Sequence, residues 1–460
     1  MSFRSLVAAG LITLGAVLPA EGASGGVEEW ENQQSPALPL VHSPTPASGA
    51  AAPRGDTLTL AAAYAAARAG SPRLAAAAAG ADAAAARVPG AGRPPDPSLQ
   101  VGAMNLSLPG LRADMPSSMA PSIQAMQMLP IPGKLGLASR AAAGEARAAR
   151  ADADEAWWEV RAGVAMAFYD VYAADRQIAV MERTLRLLGD FRQVAQAMYA
   201  TGTGRQSDVL RADVDVAKMR ADLVRMRAMR VSAAARLNGL LDRPAEMPIP
   251  AVALPALPDE LPSADTLLAW ADAGRPMLER GRAAIDQAQA REALARREIW
   301  PDLTVGVQYG QRAGEMGTER MGGAMVGFTL PVFARSRQLR MRDEAAAMER
   351  MATADLADMR AGVRARIAAL AADLDRDRTL IRLYRAEILP QAATGVQSAL
   401  SSYRVGAVDF MTLADAQMTE NTYEQELYAL QGRYGAAVAE LEMTIGRELP
   451  ATGRPLAEAP

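Results

Sequence analysis

The feature that most restricts this chain is that it repeats itself at long range. The segment YATGTGRQSDVLRAD begins at Tyr199, and a relative of it, SSYRVGAVDFMTLADAQ, spans residues 401 to 417. Tyr199 answers to Tyr403, Gly202 to Gly406, Val209 to Leu413 and Ala212 to Ala416, each 204 positions on. The same offset relates Pro72 in RAGSPRL to Pro276 in DAGRPML, and Pro97 in PSLQVG to Pro301 in PDLTVG; Pro130 and Pro331 lie 201 apart. Anchors in one order at nearly one offset indicate an internal duplication. The chain is therefore expected to build one structural unit twice.

Each copy has the same order of signals. A helix comes first (near 57 to 87 and near 264 to 299). Two short alternating runs follow, then a very long helix, a glycine interruption and a second helix. In the long helices Val160, Val164, Ala167, Val171, Ala174, Ile178, Met181, Leu185 and Leu188 step by four and three, and Leu356, Met359, Val363, Ile367, Leu370 and Leu374 do nearly the same. That spacing gives each helix one apolar seam and coiled-coil packing. A helix over 138 to 200 would be roughly 90 Å long at 1.5 Å per residue. Pro390 falls inside the corresponding second helix and is expected to kink or interrupt it.

The alternating runs are the second constraint. In DLTVGVQYGQ, Leu303, Val305, Val307 and Tyr309 point one way while Thr304, Gly306, Gln308 and Gly310 point the other. GAMVGFTLP alternates likewise, and SLQVGAMNLS and PSIQAMQMLP are weaker copies. Runs of this length and alternation suit tilted membrane-spanning strands, but also a soluble hairpin packed on helices. Four strands cannot close a barrel, and an open edge in lipid leaves backbone groups unpaired at several kcal/mol each. A membrane reading thus requires chains to pool strands; three chains would supply twelve.

Boundaries follow from composition. Residues 1–23 read as a signal peptide, with Arg4, an apolar core from Leu6 to Leu18, and Ala20 or Ala23 at the cleavage site. Residues 24–56 form a Pro/Ser/Ala-rich tail expected to be disordered. The first repeat occupies 57–244, with strands at about 98–107 and 121–131. A Pro-rich linker covers 245–263. The second repeat occupies 264–446, with strands at about 302–311 and 322–332, and 447–460 form a second disordered tail.

Several function classes drop out. No cysteine is present, which excludes disulfides, thiolate chemistry and an acyl anchor on an N-terminal Cys. His42 is the single histidine and lies in the tail, so neither a Ser-His-Asp triad nor a His-based zinc site can be assembled. Gly202-Thr-Gly204 lacks the lysine and spacing of a P-loop. The net charge of −3, with Arg and Asp/Glu interleaved, offers no surface for nucleic acid. No enzyme activity, resident metal or cofactor is expected. Met104, Met115, Met119, Met126 and Met128 crowd the first hairpin. Thioethers suit Cu(I), but methionine more often fills irregular gaps.

This grammar resembles the TolC-like outer-membrane efflux ducts over residues 57 to 446. The resemblance rests on the duplicated element order, on Tyr403, Gly406, Leu413, Ala416 and Gln417, and on the P-x-L-x-V-G that opens each hairpin. PDPSLQVG and PIPGKL look most like the branch serving heavy-metal pumps. The resemblance implies a mainly α fold with a small β part: a homotrimer whose twelve-stranded outer-membrane β-barrel continues into a periplasmic α-helical barrel. It implies a passive exit duct carrying metal ions or small toxic compounds, working with a periplasmic adaptor and an inner-membrane RND-type pump, embedded in outer-membrane lipid. Gly202, Thr203, Gly204 and Arg205, with Gly406, Ala407, Val408 and Asp409, would form adaptor-facing turns at the periplasmic tip. Asp208 and Asp415 would ring the aperture, and Tyr403 would hydrogen-bond Asp208 to hold it closed. A soluble periplasmic coiled-coil scaffold is the other reading of the same pattern.

Overall fold

A computed structural model describes residues 57–112, 118–314 and 317–450. The expected signal peptide, the first tail, His42, Met115 and residues 451–460 lie outside the described residues.

The chain opens with β1 (Thr57–Leu58), α1 (Leu60–Gly70) and α2 (Pro72–Ala91), followed by strands β2 (Ser98–Met104) and β3 (Met119–Leu129). Next come α3 (Lys134–Ala200) and α4 (Gln206–Leu240), then β4 (Ala251–Val252), α5 (Ala264–Gly274) and α6 (Pro276–Arg297). Strands β5 (Leu303–Gly314) and β6 (Gly317–Phe328) precede α7 (Gln338–Leu383), α8 (Leu389–Arg404) and α9 (Phe410–Ile445). The 67 residues of α3 make a rod of about 100 Å. It packs against α2, α4, α6 and α9. No helix among the described residues is long and apolar enough to cross a membrane.

Two expectations need correction. The single first helix of each half is two helices, broken at Ser71 and Arg275, because Pro72 and Pro276 each occupy a first-turn position where a missing N–H is tolerated. The Pro-rich segment 245–263 is not a loose linker: β4 pairs in parallel with β1, and Ile249, Val252 and Leu257 are buried in the main core. Its carbonyls take hydrogen bonds from Arg230 and Asn238. Pro390 interrupts the α-helix as expected, without ending the helical path. A π turn at Tyr384–Ile388 widens the helix just ahead of it, with the Leu389 N–H reaching back to the Tyr384 carbonyl. Pro390 then sits in the first turn of α8, where its missing donor is least damaging.

The sheet runs β2-β3-β5-β6, antiparallel throughout. The first strand ends at Met104, short of 107, since Asn105 takes a left-handed φ of 53°. The last strand spans 317–328 rather than 322–332. It gives way at Thr329, whose N–H bonds the Asp302 carbonyl. The register places Val101 opposite Ile123, Ile123 opposite Tyr309, Ala125 opposite Val307, and Val305 opposite Val326. These residues share one face. Leu99, Val101, Val307, Val326 and Phe328 stay 62 to 69% exposed on it. On the opposite face Gly306 and Gly310 leave room for methionines of adjacent strands: a Cβ at Gly306 would lie 3.0 Å from Met325 and 3.2 Å from Met126, and one at Gly310 would strike Met119. The hairpin methionines therefore fill space vacated by glycine.

Two apolar clusters hold the helices together. One joins the middle of α3 to α1, α5, α7, the end of α9 and the 245–263 segment. The other lies near the helix ends, where Leu188, Phe191, Met219, Tyr403, Phe410 and Leu413 converge from α3, α4, α8 and α9. The antiparallel α3/α9 seam also carries buried polar pairs. Tyr172 donates to Gln431 Oε1 at 2.7 Å, and Thr184 donates to Asn421 Oδ1 at 3.0 Å. Such pairs are satisfied in one register only, so they oppose sliding of one helix along the other.

Candidate functional site: the paired helix turns

The α3/α4 and α8/α9 hairpins reverse direction through turns with the same hydrogen bonds. Gly202 donates to the Tyr199 carbonyl and Thr203 to Met198. Gly406 donates to Tyr403 and Ala407 to Ser402. This is the Schellman closure of a helix, which requires a left-handed residue. Gly202 (φ 79°) and Gly406 (φ 73°) provide it without a Cβ penalty.

Beyond the glycine the turns differ. In the first, Thr203 Oγ donates to the Met198 carbonyl at 3.1 Å, and Arg205 begins α4 without a side-chain cap. In the second, Asp409 caps α9, accepting from the Thr412 N–H at 2.9 Å and the Thr412 hydroxyl at 2.7 Å. Those hydrogen bonds hold the Asp409 carboxyl below its usual range. Arg205, Ala407 and Asp409 are exposed, Gly204 and Val408 partly buried. Thr412, which stands where the first turn has Asp208, is thus committed to the cap.

The expected gate residues are brought close only in part. Tyr403 is buried, edge-to-face with Phe410 at 5.7 Å. Its hydroxyl has no hydrogen-bond partner among the described residues, so the expected bond to Asp208 is absent within the chain. Burial, and after it the Asp208 charge, push that hydroxyl above the usual tyrosine range. Asp208 is half-buried and accepts a long 3.4 Å contact from its neighbour Ser207. Asp415 is exposed on α9, on a different face from the buried Leu413 and Ala414. The sequence assigned no role to the polar face that follows Asp415 along α9: Gln417 and Asn421, both buried, and the partly exposed Glu420 and Glu424. Its signal was legible as polar residues at helical spacing inside an apolar seam.

Comparison with known proteins gives one family, described as outer membrane efflux protein, matched over residues 63–243 and again over 267–447. The chain belongs to the outer membrane efflux protein family. It is an outer-membrane protein with a large periplasmic portion. No curated protein matches it. Among solved structures, the outer membrane protein VceC of Vibrio cholerae is similar at 19% identity and TM-score 0.72, with 85% of this chain and 96% of that one covered. The open-state MtrE outer membrane channel of Neisseria gonorrhoeae has 17% identity and TM-score 0.68 over 84% and 89%. CusC, described in terms of folding and transmembrane channel formation, has 17% identity and TM-score 0.73 over 84% and 92%. These likenesses concern the fold.

Proposed function

We propose that this chain is the outer-membrane exit duct of a tripartite efflux pump, a passive channel for metal ions or small toxic compounds. The observation that carries the reading is the sheet. One face is apolar and uncovered, and the outer strands β2 and β6 each keep an unpaired edge among the described residues. Lipid suits the face but not the edges, since each unpaired backbone group in hydrocarbon costs several kcal/mol. Three copies joined edge to edge remove the edges and yield a twelve-stranded barrel. The duplicated helical unit then contributes two hairpins per chain to a twelve-helix periplasmic tube.

In this assembly the turns at 202–205 and 406–409 form the periplasmic tip and meet an adaptor protein. The adaptor in turn connects to an inner-membrane pump of the RND type, which supplies the energy. Asp415, exposed near the tip, would recur three times about the axis, repelling its copies and attracting cations. The unpaired Tyr403 hydroxyl with Asp208 nearby supports a latch completed or released as the tip rearranges.

Membrane fractionation tests the assembly. The protein should sediment with the outer membrane, require detergent, and run as a heat-modifiable trimer. Release with the periplasm as a detergent-free monomer that forms no pore would return it to a coiled-coil scaffold. For the gate, Asp415→Ala in planar bilayers should raise or reshape single-channel conductance and weaken block by multivalent cations. Unchanged conductance and block would remove Asp415 from the aperture.

A further inference from the structure

Between the two helical hairpins, at the level of the apolar cluster near the helix ends, α3, α8 and α9 border a partly open cavity of about 350 Å³. One side is apolar, with Phe191 from α3 and Val396 and Leu400 from α8, beside the polar Thr184, Thr394 and Gln397. Its floor is the polar face of α9, where Gln417, Glu420 and Glu424 follow one another at positions that share a helix face. Opposite them stands Arg183 of α3, which pairs with Glu424. Two carboxylates against one guanidinium leave the cavity one negative charge in excess.

The floor is also incomplete. The Gln417 side chain is 2% exposed, and its Nε2 donates to Glu420 Oε2 at 3.1 Å. Its Oε1 has no partner among the described residues. A buried acceptor without a donor is destabilising, so an incoming N–H gains more here than at a solvated site. Burial, and after it the Glu424 charge, push the Glu420 carboxyl above its usual range. A cation beside it reverses that penalty.

We propose that this cavity binds a small lipophilic ammonium ion. Its charged N–H group sits between Glu420 and Gln417 Oε1, and its apolar body lies against Phe191, Val396 and Leu400. The volume and lining fit. Small-molecule sites span about 300–1,000 Å³ and combine apolar walls with a few convergent polar groups. A bare hard metal ion uses more oxygen ligands and leaves an apolar wall of this size unexplained. All of its lining residues belong to one chain.

The test uses the full-length protein in detergent and 1-naphthylmethylammonium as a fluorescent probe. Saturable binding is expected, at least tenfold tighter than that of neutral 1-naphthalenemethanol. Glu420→Gln should weaken the ammonium about tenfold, leaving the alcohol unchanged. Gln417→Leu should weaken it severalfold, and Val396→Trp should abolish both by filling the wall. Asp358→Ala, an exposed position on α7 outside the cavity, should leave the titration unaltered. The comparison of ammonium with alcohol needs no variant, so it stands even where a substitution impairs folding. Equal binding of the two probes overturns the proposal. So does an unchanged affinity in Glu420→Gln, and so does displacement of the amine by equimolar calcium, which would mark a hard-ion site.

Discussion

Gly446→Val is expected to destabilise the fold by about 3–5 kcal/mol, combining left-handed backbone strain with overpacking. Gly446 ends α9 with φ 65°, and a Cβ there would lie 2.4 Å from the Gly274 carbonyl oxygen and 2.8 Å from the Arg275 Cα. Those atoms are backbone at the α5/α6 break, so no rotamer change relieves the overlap. The position 204 residues earlier offers a natural comparison. Asp242 also has positive φ, at 53°, yet keeps its side chain. There the side chain is accommodated against the facing Gly70, on which even a built Cβ would be 3.8 Å from Asp242 Cβ. One site thus requires glycine for space as well as for φ, and the other does not. Gly446→Asn separates the two causes. Asparagine tolerates the left-handed region, so its remaining cost measures the clash. Gly362→Ala is the control, an exposed helical glycine with open space around it, expected to stabilise by about 0.5–1 kcal/mol. Urea unfolding in detergent, followed by helical circular dichroism, reads all three. A Gly446→Val midpoint equal to wild type would show that the α9 end does not pack on the α5/α6 break.

Lys134→Met is the second large effect. Lys134 is buried at the start of α3, and its Nζ bonds both Asp302 oxygens at 2.9 and 3.0 Å and the Trp300 carbonyl at 3.2 Å. Asp302 Oδ1 also accepts the Ile131 N–H at 3.1 Å. The pair therefore ties the end of the first hairpin to the beginning of the second, where the sheet meets the helices. Removing the cation leaves Asp302 facing backbone without its charge partner. Breaking a fully buried pair costs about 3–5 kcal/mol; Asp302 keeps some solvent contact, so about 2–4 kcal/mol is expected. Lys134→Met with Asp302→Asn should recover much of the loss, because the uncompensated charge is gone. Failure of the double variant to recover would assign the role to lysine's packing rather than to the ion pair. If the two hairpins must be aligned for strands to pool, the single variant should also lower the yield of heat-modifiable trimer.

What the sequence by itself determined is what local spacing can encode. Alternation set the faces of the strands, the four-three steps set the long helical seams, and Gly202 and Gly406 set the reversals, each because a period or a φ requirement depends on near neighbours along the chain. Only the tertiary structure decided the rest. It paired β3 with β5, drew the Pro-rich 245–263 segment into the core, and left Tyr403 and Gln417 buried with unpaired oxygens. Each of these turns on which distant backbone or side chain arrives opposite a given atom, and neither a residue's type nor its spacing specifies that.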